Sequence, residues 1–158
     1  MSHVTLTVDE AHALVTEALM ANRTSAANAR SVADALIGAE LCGQAGHGLR
    51  RVPAYAAQAK AGKVDGFAEP TAERVRPGMV RIDAGSGFAY PALALATTLL
   101  AAFGPGVTAR FRAMAQAVET EEGARLPGRR RQALRRRLTT QGITADAALV
   151  EAIRALEA

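Results

Sequence analysis

The residues best suited to chemistry in this 158-residue chain sit in one short segment, Gly43-Gln44-Ala45-Gly46-His47-Gly48-Leu49-Arg50-Arg51. An imidazole titrates near neutrality and can hand over or take up a proton there, while a guanidinium offers a planar fork of N–H donors that matches a carboxylate. His47 and Arg51 are four residues apart, so on a continuous helix they would share a face. Together they suit a substrate whose carboxylate is held by Arg51 while His47 protonates a neighbouring carbonyl or imine as hydride arrives. Spacing alone also admits a plainer reading, in which a His beside two Arg is a solvated or capping residue.

Other chemically suggestive residues carry less. Cys42 is the single cysteine, which excludes an intramolecular disulfide and a cysteine-based zinc site and fits a reducing compartment. Gly85-Ser86-Gly87 lacks the third glycine and the preceding buried strand of a Rossmann fingerprint, and reads as a turn. Two triplets, Arg129-Arg130-Arg131 and Arg135-Arg136-Arg137, raise the alternative of a basic helix on nucleic acid. Adjacent residues on a helix are ~100° apart, so each triplet spreads its charge around the helix rather than along one stripe. With few aromatics between them, the arginines argue against a nucleic-acid binder.

The elements that must position these groups are mostly helices. Thr7-Val8-Asp9-Glu10 is a capping-box pattern opening a helix with Ala11, Leu14, Val15, Ala18 and Leu19 inward. Ser25 caps a second helix reaching about Cys42, with Ala29, Val32, Ala33, Leu36 and Ile37 on one face and Gly43 as its left-handed terminator. Leu49 to Ala61 reads as a third. Met79 to Ile82 is the one plausible strand, in a Pro- and Gly-containing interlude from Lys63 to Tyr90. Pro91 opens the next helix, Gly104-Pro105-Gly106 breaks it, and Thr108 caps another. Pro127 opens an Arg-rich helix ending at Gly142, and Thr144 caps the last, with Asp146 placed well for its dipole.

The first of these segments, continued by Val52-Pro53-Ala54-Tyr55 and Ala61-Gly62-Lys63-Val64, resembles the N-terminal signature of the malate/L-lactate dehydrogenase-like oxidoreductases. Ile82-Asp83-Ala84-Gly85-Ser86-Gly87-Phe88 is similar to that family's following Asp-Gly-x-x-Gly-Phe segment. Phe103 to Val118, Arg125-Leu126-Pro127-Gly128-Arg129-Arg130 and Gln141-Gly142-Ile143 resemble its final helices and its Arg-x-Pro-Gly-Glu-Arg motif. The resemblance implies NADH- or NADPH-dependent reduction of 2-oxo or 2-imino acids, with His47 as acid/base and Arg51 as substrate clamp. It also places Arg125 and Gly128 near the cofactor, where the alternative is a capped helix entry. Two positions depart from the pattern: Gly46 stands where the family has Ser, and Arg129 where it has Glu. The central stretch that supplies most of the nicotinamide pocket has no counterpart, so the expectation is a truncated or degenerate member, segments 1–100 and 103–158 being joined directly.

Composition agrees with that outline. The length suits one domain, 1–158, and 49% hydrophobic residues with 4% aromatics and no Trp mean a core of Ala, Leu and Val. The fold expected is mainly α, an orthogonal bundle of about seven helices with one small β element. Residues 1–100 carry nine basic and nine acidic side chains and 101–158 carry ten against six, so the formal +4 is entirely C-terminal. With no recognisable signal peptide and no stretch of ~20 apolar residues, a cytoplasmic protein off the membrane is expected. The surface uncovered by a missing domain predicts association as a homodimer, or with a chain supplying that domain; a non-catalytic dimerisation or docking protein is the alternative to an enzyme.

Overall fold

The computed structural model describes residues 2–76, 79–102, 105–124 and 128–157. Strand β1 (His3–Leu6) leads into α1 (Val8–Ala21) and α2 (Ala26–Leu41), followed by two 3-10 turns, Ala45–His47 and Leu49–Arg51, and by α3 (Val52–Lys60). A hairpin of β2 (Thr71–Arg76) and β3 (Met79–Asp83) precedes α4 (Ala89–Ala102), α5 (Pro105–Thr120) and α6 (Arg129–Gln141); β4 (Ile143–Asp146) and α7 (Ala147–Arg154) close the chain. The fold is mainly α, with seven α-helices among the described residues.

The helix starts follow from their caps. The Thr7 hydroxyl accepts from the backbone N–H of Glu10 at 3.1 Å, and the Glu10 carboxylate accepts from the Thr7 N–H at 2.8 Å, completing the box. Ser25 caps α2 through the Asn28 N–H. The inward faces of α1 and α2 join Leu49, Val52, Ala56, Ala59, Phe88, Ile143, Val150 and Ile153 in one core. Leu19, Leu36, Leu49 and Ile153 are fully buried, each contributing about 1.5–3 kcal/mol relative to exposure. No described residue of α4, α5 or α6 is buried to the same degree; α4 and α6 lie against the outside of α2.

The β content and the start of α5 differ from the sequence expectation. The β content is two antiparallel ribbons rather than one, because β1 pairs with β4 in the register His3↔Asp146 to Leu6↔Ile143. Thr144 therefore lies in a strand, its hydroxyl 3.2 Å from that of Thr5, and Asp146 caps α7 by accepting from the Ala148 N–H at 3.0 Å. Four-residue strands carry too little alternation to stand out, and their partner is remote in sequence. The second difference is that α5 begins at Pro105, ahead of Thr108: proline has no N–H to lose in a helix's first turn. Pro127 lies outside the described residues. Among those described, no helix is long and apolar enough to cross a membrane.

Candidate functional site

The segment carrying His47 and Arg51 is shaped by the end of α2. Cys42 caps that helix, and Gly43 turns the chain away at φ +75°, a conformation that disfavours a side chain. A Cβ on Gly43 would also lie 2.7 Å from the Leu134 side chain of α6. From within α2, the Glu40 carboxylate reaches forward to accept the Leu49 N–H at 2.7 Å. Its side chain fills the space a Cβ on Gly48 would need, so a larger residue there would have to displace it. Gly48, at φ −100° and ψ −133°, ends the first 3-10 turn before the second begins.

His47 and Arg51 consequently stand on separate turns, and the continuous helix that would have put them on one face does not form. What joins them is the backbone beside His47: Arg51 donates from Nε to the Gly46 carbonyl at 2.9 Å. Among the described residues neither terminal nitrogen of Arg51 has a protein partner, and both side chains are exposed. A guanidinium tethered at Nε keeps its outer edge for the two parallel bonds that a carboxylate accepts. Gly46 has no atom within 4 Å of where a Cβ would sit.

Next to Arg51 lies an aromatic cluster. The Tyr55 ring is 5.9 Å from Phe88 and 6.3 Å from Tyr90, centroid to centroid, and the two tyrosine hydroxyls are 3.4 Å apart. Partial burial, then the hydrogen bond and charge of Tyr55, push the Tyr90 phenol up to about 12, with the Arg51 guanidinium pulling the other way. Tyr90 is thus a neutral hydroxyl at physiological pH within the electrostatic reach of Arg51. Tyr55 was legible as the residue one helical turn beyond Arg51; nothing local in the sequence pointed to Tyr90.

The segment bearing Phe88 and Tyr90 is anchored from α2. Asn28, buried in that helix, donates from Nδ2 to the carbonyls of Gly66 and Ala68, both at 2.9 Å. Ala68 packs closely over Gly87, where a Cβ would come 2.8 Å from the Ala68 methyl.

The residues assigned to a cofactor by resemblance fare differently. Arg125 lies outside the described residues. Gly128 is the left-handed N-cap of α6 at φ +91°, exposed and with open space on the side where a Cβ would project. Such a helix entry suits a phosphate. The Arg-rich helix does border the site, because Arg131 donates from both terminal nitrogens, at 3.2 Å, to the Gln44 side-chain oxygen when that amide is oriented to accept.

Known proteins share the shape of this N-terminal unit. The chain is 37% identical over 92 residues to a Delta(1)-pyrroline-2-carboxylate/Delta(1)-piperideine-2-carboxylate reductase of Pseudomonas aeruginosa, covering 58% of this chain and 28% of that protein. It is 43% identical over 89 residues to a (2R)-3-sulfolactate dehydrogenase (NADP(+)) of Chromohalobacter salexigens, covering 56% and 26%. The crystal structure of delta1-piperideine-2-carboxylate reductase from Pseudomonas syringae superposes with a TM-score of 0.58 at 36% identity, over 61% of this chain and 29% of that one. This chain thus spans less than a third of the length of these relatives. Residues 6–104, which include His47, Arg51, Tyr55 and Tyr90, match the family described as Malate/L-lactate dehydrogenase, and the chain belongs to that family.

Proposed function

We propose that this chain carries the substrate-binding side of an NAD(P)H-dependent reductase of 2-oxo or cyclic 2-imino acids. In this reading Arg51 holds the substrate carboxylate and His47 exchanges a proton with the oxygen or nitrogen being reduced. The supporting observation is the Arg51 Nε bond to the Gly46 carbonyl, which fixes the guanidinium beside His47 while leaving its carboxylate-binding edge open. Tyr90, kept neutral, offers a hydroxyl near the same guanidinium. Nicotinamide, when bound, supplies the hydride; in this reading the wall that holds it lies in the part of the relatives' length that this chain does not span. Catalysis in this reading needs that wall to be supplied.

The test is a titration of the purified chain with a panel of 2-oxo acids and Delta(1)-pyrroline-2-carboxylate, read by side-chain NMR of His47 and Arg51. A saturable shift at both residues that Arg51→Ala abolishes and acids without the 2-oxo or 2-imino group reproduce only weakly is expected. Parallel fluorescence titrations with NADH and NADPH should show no tight site on this chain alone. Absence of any shift at millimolar acid would overturn the reading.

A further inference from the structure

The outer face of the α1–α2 pair carries a second group of polar side chains. His12 on α1 meets Asp34 on α2, Nε2 to Oδ1 at 3.0 Å, and its Nδ1 lies 3.5 Å from the Thr16 hydroxyl. With Nε2–H donated to the Asp34 carboxylate, a neutral His12 keeps Nδ1 as an acceptor. Thr16 then donates its proton to the ring and is left with lone pairs to offer. Thr16, one turn after His12, and Arg30, one turn before Asp34, line a single groove of about 460 Å³. Arg30 stands roughly 16 Å along α2 from the end of that helix at Leu41, and the groove shares no lining residue with the site at His47 and Arg51.

The opposite charges of this groove do not meet. Asp9 and Glu17 line it from α1 and Arg30 from α2, yet among the described residues neither the Glu17 carboxylate nor the Arg30 guanidinium has an ion-pair partner. Ala13 and Met20 give it an apolar wall, with Met20 left 47% exposed. Apolar walls with a few placed polar groups suit a small molecule, and the charges select which kind. A simple anion would face Asp9 and Glu17, and a simple cation would face Arg30. A zwitterion satisfies both signs. We propose that the groove binds a free α-amino acid with an apolar side chain. Its carboxylate accepts two parallel N–H bonds from Arg30, its ammonium donates to the Thr16 oxygen and the Glu17 carboxylate, and its side chain covers Ala13 and Met20. Charge pairs open to water are each worth little, so binding is in the millimolar range.

Amide NMR of the whole chain, titrated with L-leucine, tests this directly. Saturable shifts at Thr16, Glu17, Met20 and Arg30 are expected, with the His47 amide unmoved. Two analogues dissect the ligand on the unaltered protein: 4-methylpentanoate lacks the ammonium, 3-methylbutylamine lacks the carboxylate, and each should bind at least about threefold more weakly than L-leucine. Arg30→Gln should weaken L-leucine by a similar factor while leaving the amine unaffected or tighter, and Glu17→Gln should do the same with respect to the acid. Both positions are exposed, so helicity by circular dichroism should be unchanged. Met20→Ala should weaken L-leucine more than glycine. The proposal is overturned by the lack of a saturable shift at these residues up to 50-fold above millimolar ligand, by either analogue binding as tightly as L-leucine, or by binding indifferent to Arg30→Gln and Glu17→Gln.

Discussion

The Glu40 carboxylate accepts the backbone N–H of Leu49 at 2.7 Å, and through that bond helix α2 carries the loop that presents His47 and Arg51. Leu49 is fully buried, so its N–H has no ready access to water once the carboxylate is removed. Glu40→Ala should therefore cost about 1.5–3 kcal/mol, measured by urea unfolding, and speed hydrogen exchange at the Leu49 amide.

The two glycines flanking His47 should respond in opposite ways. Gly48→Ala drives a methyl into the Glu40 side chain and should destabilise the fold by about 1–3 kcal/mol. Gly46→Ala meets open space and should change stability by no more than about 0.5 kcal/mol. Gly46→Ser, which restores the hydroxyl of the family pattern, should fold equally well and tighten 2-oxo acid binding in the NMR titration; weaker binding would count against a site at His47.

Tyr90 makes the fold sensitive to alkaline pH. Its phenol is raised to about 12 from an ordinary value of 10.0, so between those values the folded state holds a proton that the unfolded state has lost. The stabilisation is complete below pH 10.0 and disappears as pH rises through about 12. Phenolate absorbance should show Tyr90 ionising late. Tyr55→Phe should bring its midpoint part of the way down, because burial remains, and Arg51→Ala should move it further up.

Asn28 ties α2 to the segment leading to Phe88 and Tyr90. Asn28→Asp removes the donor while nearly preserving shape, leaving the Gly66 and Ala68 carbonyls facing a carboxylate. A loss of at least about 1–3 kcal/mol is expected in chemical denaturation. Asn28→Ala should cost less than Asn28→Asp, since it removes the bonds without adding a buried charge.

At the start of α1, the Thr7 backbone N–H and hydroxyl hold the Glu10 carboxyl below its usual 4.5. A depressed carboxyl stabilises above its unfolded pKa, and that contribution is lost as pH falls through the folded one. Thr7→Ala should lower stability at neutral pH by about 1 kcal/mol and flatten its dependence on pH below 4.5. An unchanged acid limb in the melting profile would show that the box contributes nothing there.

Much of this molecule was written locally. The capping box at Thr7, the Ser25 cap, the inward faces of α1, α2 and α3 and the family signature around His47 depend on neighbours within a turn or two of helix, and a linear sequence displays such relations directly. Tertiary structure decided the rest. The turn at Gly48 separates His47 from Arg51 with the Glu40 side chain from α2 packed against it, and Tyr90 meets Tyr55 across 35 positions of chain. The pairing of β1 with β4 joins residues 139 apart. In each case the deciding contact is between groups remote in sequence, whose meeting is set by packing of the whole core rather than by the preferences of either segment.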